Sequence, residues 1–84
     1  MVTIFGSNTC LHCLLCKQMC EAMDVEYKFL EVQDPDVTRQ FVELFPDIEG
    51  IPQILWKGDH IGGYAELTLK IDEYITNLNN GEVQ

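Results

Sequence analysis

Val2-Thr3-Ile4-Phe5-Gly6-Ser7-Asn8-Thr9-Cys10-Leu11-His12-Cys13 runs from an apolar, β-branched segment through a Gly-Ser-Asn turn to a pair of cysteines. Val2 to Phe5 reads as a short buried strand, closed by Gly6-Ser7-Asn8. From Leu11 to Met23 the apolar residues Leu11, Leu15, Met19 and Ala22 recur at helical spacing, with Lys17, Gln18, Glu21 and Asp24 opposite them. This spacing predicts an amphipathic helix capped near Thr9. The cysteine pair therefore stands at the point where a strand passes into a helix, and the rest of the fold follows from that junction.

Working outward, Tyr27 to Val32 alternates apolar residues with Lys28 and Glu31 and stops at Asp34-Pro35-Asp36, a turn that also supplies a helix N-cap. Val37, Phe41, Leu44 and Phe45 share one face of a second helix, which Pro46 and Gly50 end before Ile51 to Trp56 resumes an extended pattern. Lys57-Gly58-Asp59 reads as a tight turn into His60 and Ile61, making a hairpin. After Gly62-Gly63, the residues Leu67, Ile71, Tyr74, Ile75 and Leu78 define a third helical face, and Asn79 to Gln84 read as a frayed tail. The resulting order is β-α-β-α-β-β-α, an α/β fold with a four-stranded mixed sheet flanked by three helices on both faces.

The chain has 84 residues, which allows one domain spanning residues 1–84 and no second one. Five basic residues stand among fourteen acidic ones, for a net charge of −9, so nucleic-acid backbones are repelled and no nucleic-acid partner is expected. No stretch approaches the roughly 20 apolar residues that span a bilayer, and no charged leader precedes an apolar run. A cytoplasmic protein without a membrane partner is expected, acting as a monomer. The four cysteines all fall between Cys10 and Cys20, where they can staple nothing distant, so they point to redox chemistry or metal rather than to a disulfide framework.

A Cys-x-x-Cys at a helix start sets its first sulfur beside unpaired backbone N–H groups and the positive end of the helix dipole, which favours a thiolate. Cys10 is therefore the candidate nucleophile. Cys13, one turn further in, can attack a mixed disulfide on Cys10 and release the reduced substrate, which makes it the candidate resolving thiol. An imidazole at His12 would stabilise the reduced pair and make the couple more oxidising, although His12 also fits a plain polar helix start.

Val2 to Cys13, Gly50-Ile51-Pro52-Gln53-Ile54 and His60-Ile61-Gly62-Gly63-Tyr64 resemble, in order and separation, the three signatures of the glutaredoxin family within the thioredoxin superfamily. The likeness covers most of the chain. It implies a thioredoxin/glutaredoxin-like fold and a thiol-disulfide oxidoreductase that reduces protein or glutathione mixed disulfides. It also implies Pro52 as a cis-proline facing the active sulfur, Ile51 pairing its backbone with the substrate, and Gly62, Gly63 and Tyr64 bordering the site for glutathione's γ-glutamyl carboxylate. Glutathione would be a co-substrate, with no bound cofactor or metal, and ribonucleotide reductase is one protein substrate that the resemblance suggests. The chain departs from the family pattern at Ser7, where Lys is frequent, at Ala65, where Asp is usual and Glu66 is left to meet the glutathione amine, and at Gly50 in place of Thr. Leu11-His12 replaces the familiar Pro-Tyr.

A rival reading comes from Cys10, Cys13, Cys16 and Cys20 together, whose C-x2-C-x2-C-x3-C spacing matches bacterial ferredoxin cluster ligands and would make the chain an iron–sulfur electron-transfer or cluster-carrier protein. A four-cysteine zinc site fits the count as well. Against both, Leu14-Leu15 and Lys17-Gln18-Met19 are strong helix formers that place Cys13, Cys16 and Cys20 along one helix edge, where small thiols pack as hydrophobes.

Overall fold

The computed structural model describes residues 1–48 and 50–81. Its elements are β1 (Val2–Gly6), α1 (Leu11–Ala22), β2 (Tyr27–Glu31), α2 (Pro35–Leu44), β3 (Gln53–Trp56), β4 (Asp59–Gly62) and α3 (Tyr64–Gly81). They form a thioredoxin-like α/β fold in the order expected from the sequence. One sheet runs β2-β1-β3-β4. β1 pairs with β2 in parallel, Val2 opposite Tyr27 and Gly6 opposite Glu31, and a parallel pair needs a crossover such as α1. β1 pairs antiparallel with β3, Ile4 opposite Ile54, and β3 with β4. The turn between these last two is Lys57-Gly58, both at positive φ (51° and 90°), the twist that suits a two-residue hairpin loop.

Strand alternation divides the core. Val2, Ile4 and Ile54 point to one face, where Cys16 and Cys20 of α1 and Leu67 and Ile71 of α3 cover them. Phe5 points to the other, where its ring meets Phe41 at 5.8 Å and Phe45 at 5.7 Å between centroids. α2 is held by this aromatic trio and buries none of its own residues; Leu44, expected on its inner face, is 54% exposed. Asp34 caps α2, its Oδ1 accepting from Asp36 N–H at 2.9 Å.

Three expectations are corrected. The buried face of α1 is only in part the Leu11-Leu15-Met19-Ala22 stripe: Met19 packs against the core, Leu11 and Ala22 are exposed, and the fully buried residues are Cys13, Cys16 and Cys20, on the helix edge expected for them. Leu78, expected on the core face of α3, is exposed. The expected tail from Asn79 is helical as far as Gly81, and residues 82–84 lie outside the described residues. Among the described residues no helix is long and apolar enough to cross a membrane.

Candidate active site

β1 ends at Gly6, and Ser7-Asn8-Thr9 carries the chain over the C-terminal edge of the sheet to Cys10. Side chains and backbone tie this loop down. Ser7 is buried, its Oγ accepts from Thr9 N–H at 3.2 Å, and its carbonyl accepts from Cys10 N–H at 3.1 Å. Asn8 N–H donates to Glu31 Oε1 at 3.0 Å, so the end of β2 braces the loop from the far side of the parallel pair.

Cys10, and not Thr9, is the N-cap of α1. Its backbone is extended (φ −96°, ψ 121°), its carbonyl accepts from Leu14 N–H at 3.1 Å, and its Sγ accepts from Cys13 N–H at 3.4 Å. A sulfur in the capping position sits against the positive end of the helix, where negative charge developing on it is met by an oriented donor. Cys10 is partly exposed, whereas Cys13 has no exposed surface. Burial, reinforced by the hydrogen bond with Cys10, pushes the Cys13 thiol up to about 12. The pair is thus asymmetric, one sulfur at the surface and one held protonated beneath it. All four cysteines are free.

The other expected site residues fall into two contacts. His12 is exposed at the start of α1, and its ring stands 5.6 Å from that of Tyr64 at the start of α3. The Ile51–Pro52 bond is cis and Pro52 is buried. A Cβ at Gly63 would lie 3.2 Å from the Pro52 carbonyl oxygen, so these two backbones run close together. Ile51 is half-buried and precedes β3.

Cys16 and Cys20 sit within the core cluster. Spread along α1 with Cys13, they do not converge. Among the described residues no group of three or more His, Cys, Asp or Glu is arranged to hold a metal ion. The cluster spacing in the sequence is thus spent on a helix face.

A cavity of about 320 Å³ lies at the other end of the sheet, lined by Met1, Val2, Asp24, Glu26, Trp56 and Tyr74 among others. Val2 begins β1 and Gly6 ends it, so this cavity is separated from the cysteine loop by the length of the strand. Sequence reading passed over two residues that shape the site. Glu31 braces the loop, and no local spacing signals a partner so distant in sequence. Gly6, read as a turn residue, is the end of β1 and lies directly beneath Cys13: a Cβ there would come within 2.6 Å of Cys13 Sγ and 2.9 Å of its Cβ.

Gly6→Ala is accordingly expected to push α1 outward at Cys13, lowering stability by about 1–3 kcal/mol in denaturant melts. Gly50→Ala, where a Cβ would meet nothing within 4 Å, is the control and should stay within about 0.5 kcal/mol of the unaltered protein. Equal stability of the two variants would contradict the contact.

Comparison with known proteins agrees with this fold. The Glutaredoxin family model matches residues 2–61. Glutaredoxin 1 of Escherichia coli (strain K12) is 26% identical over 77 residues, 83% of this chain and 91% of that protein. The mitochondrial Glutaredoxin-2 of Rattus norvegicus is 32% identical over 68 residues, 77% of this chain and 43% of that longer protein. Among solved structures, Glutaredoxin 1 from Francisella tularensis, crystallised with cacodylate, matches at a TM-score of 0.73 and 26% identity, over 89% of this chain and 95% of that one.

Proposed function

The chain belongs to the glutaredoxin family of thiol-disulfide oxidoreductases, and from that premise we propose that Cys10 and Cys13 are its working dithiol, reducing protein and glutathione mixed disulfides. The observation that carries the proposal is the Cys13 N–H donated to a partly exposed Cys10 Sγ at 3.4 Å, over a Cys13 that is fully buried.

In the forward reaction Cys10 attacks the substrate disulfide. A Cys10–substrate disulfide forms as the substrate's S–S bond breaks, and the departing sulfur takes up a proton. Cys13 then gives up its proton and attacks Cys10 Sγ, forming the Cys10–Cys13 disulfide and expelling the second thiol. Two electrons pass to the substrate, and two molecules of glutathione, leaving as glutathione disulfide, restore the dithiol.

In this reading glutathione is a co-substrate and no resident cofactor or metal takes part. The backbone of Ile51, cis-Pro52, the Gly62-Gly63 pair and Tyr64 border its place, with the start of α3 receiving its γ-glutamyl carboxylate. The protein works as a monomer in the cytoplasm, where reduced glutathione can drive the cycle, and ribonucleotide reductase is one protein disulfide to assay.

Equilibration of the protein in glutathione redox buffers, with the oxidised fraction read by thiol alkylation, tests the proposal. A single two-electron couple near roughly −200 to −230 mV is expected, and it should be absent from the Cys13→Ser variant. A protein that forms no Cys10–Cys13 disulfide across that range would refute it. The same titration reports on His12: if its imidazole favours the reduced pair, His12→Leu lowers the potential by about 15–30 mV, and no change would reduce His12 to a polar residue at the helix start.

A further inference from the structure

Disulfide exchange does not require the way in which α3 begins. Gly63 caps the helix: its carbonyl accepts the first helical bond, from Leu67 N–H at 3.0 Å. Its own N–H is taken by a side chain from the first turn, donating to Glu66 Oε1 at 2.8 Å. The Glu66 carboxylate is thus folded back over the end of its own helix, and the N–H groups of Gly63 and of Glu66 itself hold its carboxyl below the usual carboxylate range. Gly62 makes the room. A Cβ at that position would lie 2.8 Å from Glu66 Cγ, Cδ and Oε1, and the φ of 118° there is one that L side chains rarely adopt.

The start of a helix favours an anion, and here the chain supplies that anion itself. The filled position borders the residues assigned above to the substrate. Gly63 runs against the Pro52 carbonyl, and Tyr64 stands against His12, two positions from Cys10. A net charge of −9 over the whole chain adds a field of the same sign.

We propose that Glu66 is a specificity-determining residue: its carboxylate, bound to the Gly63 N–H, occupies the place a substrate carboxylate would take, so that anionic disulfides must displace it and neutral ones need not. The proposal rests on the reading that this end of α3 receives the γ-glutamyl carboxylate of glutathione. It turns the residue expected to attract the glutathione amine into one that competes with the glutathione carboxylate. It also biases the protein toward disulfides that bring no carboxylate to the α3 start.

The test uses one peptide carried as two mixed disulfides, with glutathione and with 2-mercaptoethanol, reacted with reduced protein under single-turnover conditions. For Glu66→Ala, the half-saturating concentration of the glutathione form, relative to that of the 2-mercaptoethanol form, is expected to fall about three- to tenfold. Glu66→Gln, whose amide oxygen still accepts from the Gly63 N–H but carries no charge, should move the ratio in the same direction by less, and circular dichroism of both variants checks that α3 persists. In parallel, the Kd of unreactive S-methylglutathione, read at the Gly63 amide resonance, should fall by a similar factor. An unchanged ratio overturns the proposal. So does a rise, which would make Glu66 an attracting ligand. If S-methylglutathione moves no resonance at Gly63 in any of the three proteins, the glutathione-site reading fails first; if it binds all three equally, only the competition by Glu66 fails.

Discussion

Cys10→Ser is expected to reduce disulfide exchange by about a thousandfold or more, because no other thiol of the chain is placed to take over. Cys10 is the partly exposed sulfur at the start of α1, with the Cys13 N–H directed at it. Cys13, Cys16 and Cys20 are each 0% exposed. Burial is the first cause that raises all three, Cys13 and Cys16 to about 12 and Cys20 to about 11. At neutral pH these thiols are protonated, and the thiolate is the form that attacks a disulfide. Cys13→Ser should behave differently: the first attack survives, the second has no sulfur to make it, and one glutathione per chain stays attached to Cys10. Mass spectrometry after exposure to glutathione disulfide separates the cases, with no adduct on Cys10→Ser and a stable single adduct on Cys13→Ser. Exchange at the unaltered rate in Cys10→Ser would remove Cys10 from the mechanism, and an adduct on Cys13 would show that burial does not protect it.

The order of elements was legible because Gly, Pro, Asn and Asp punctuate every junction, and because the hairpin turn needs the positive φ that Lys57-Gly58 provides. The proposed dithiol was visible as a Cys-x-x-Cys at a strand–helix junction, and the structure has Cys10 at the N-cap of α1 with Cys13 buried one turn on. What periodicity could not supply was depth. In α1 the apolar stripe of Leu11, Leu15, Met19 and Ala22 has the right spacing and more hydrophobic bulk, yet the fully buried residues are Cys13, Cys16 and Cys20, the thiols that helical spacing had already grouped on one edge. A cap near Thr9 is what the usual preference for hydroxyl acceptors suggests; the thiol of Cys10, one residue on, accepts the N–H instead. Glu66 carried a visible signal. Gly63-Tyr64-Ala65-Glu66 has the spacing of a capping box, in which a residue three positions into the helix reaches back to the cap N–H. Reading Glu66 only as a partner for a substrate amine passed over that local bond. Glu31 left no comparable trace, since its partner Asn8 becomes its neighbour only through the parallel pairing of β1 and β2.

The three buried thiols set the second large effect, a loss of stability in alkali. Each has its folded value raised above the ordinary 9.0. Below about pH 9 folded and unfolded chains alike keep these protons, so the stabilisation is fully present. Above it the unfolded chain gives them up and the folded chain does not, so stability falls as pH rises toward 11 and 12. One thiol can contribute up to about 1.4 kcal/mol per pH unit in that window, and together the three should cost about 2–4 kcal/mol between pH 9 and pH 10. Denaturant melts of the reduced protein over this range, in a phosphine reductant, measure the slope. Replacing two of the three thiols, as in a Cys16→Val, Cys20→Ala variant, should cut the slope by about two-thirds; an unchanged slope would assign the alkaline loss to other groups. The same energetics bear on function. Forming a thiolate at Cys16 or Cys20 means drawing α1 away from Val2, Ile4 and Ile54, the residues that anchor the sheet beneath it. In the proposed mechanism attack on the substrate is therefore confined to Cys10, and the buried Cys16 and Cys20 can lie a few residues from a reactive disulfide without being drawn into it.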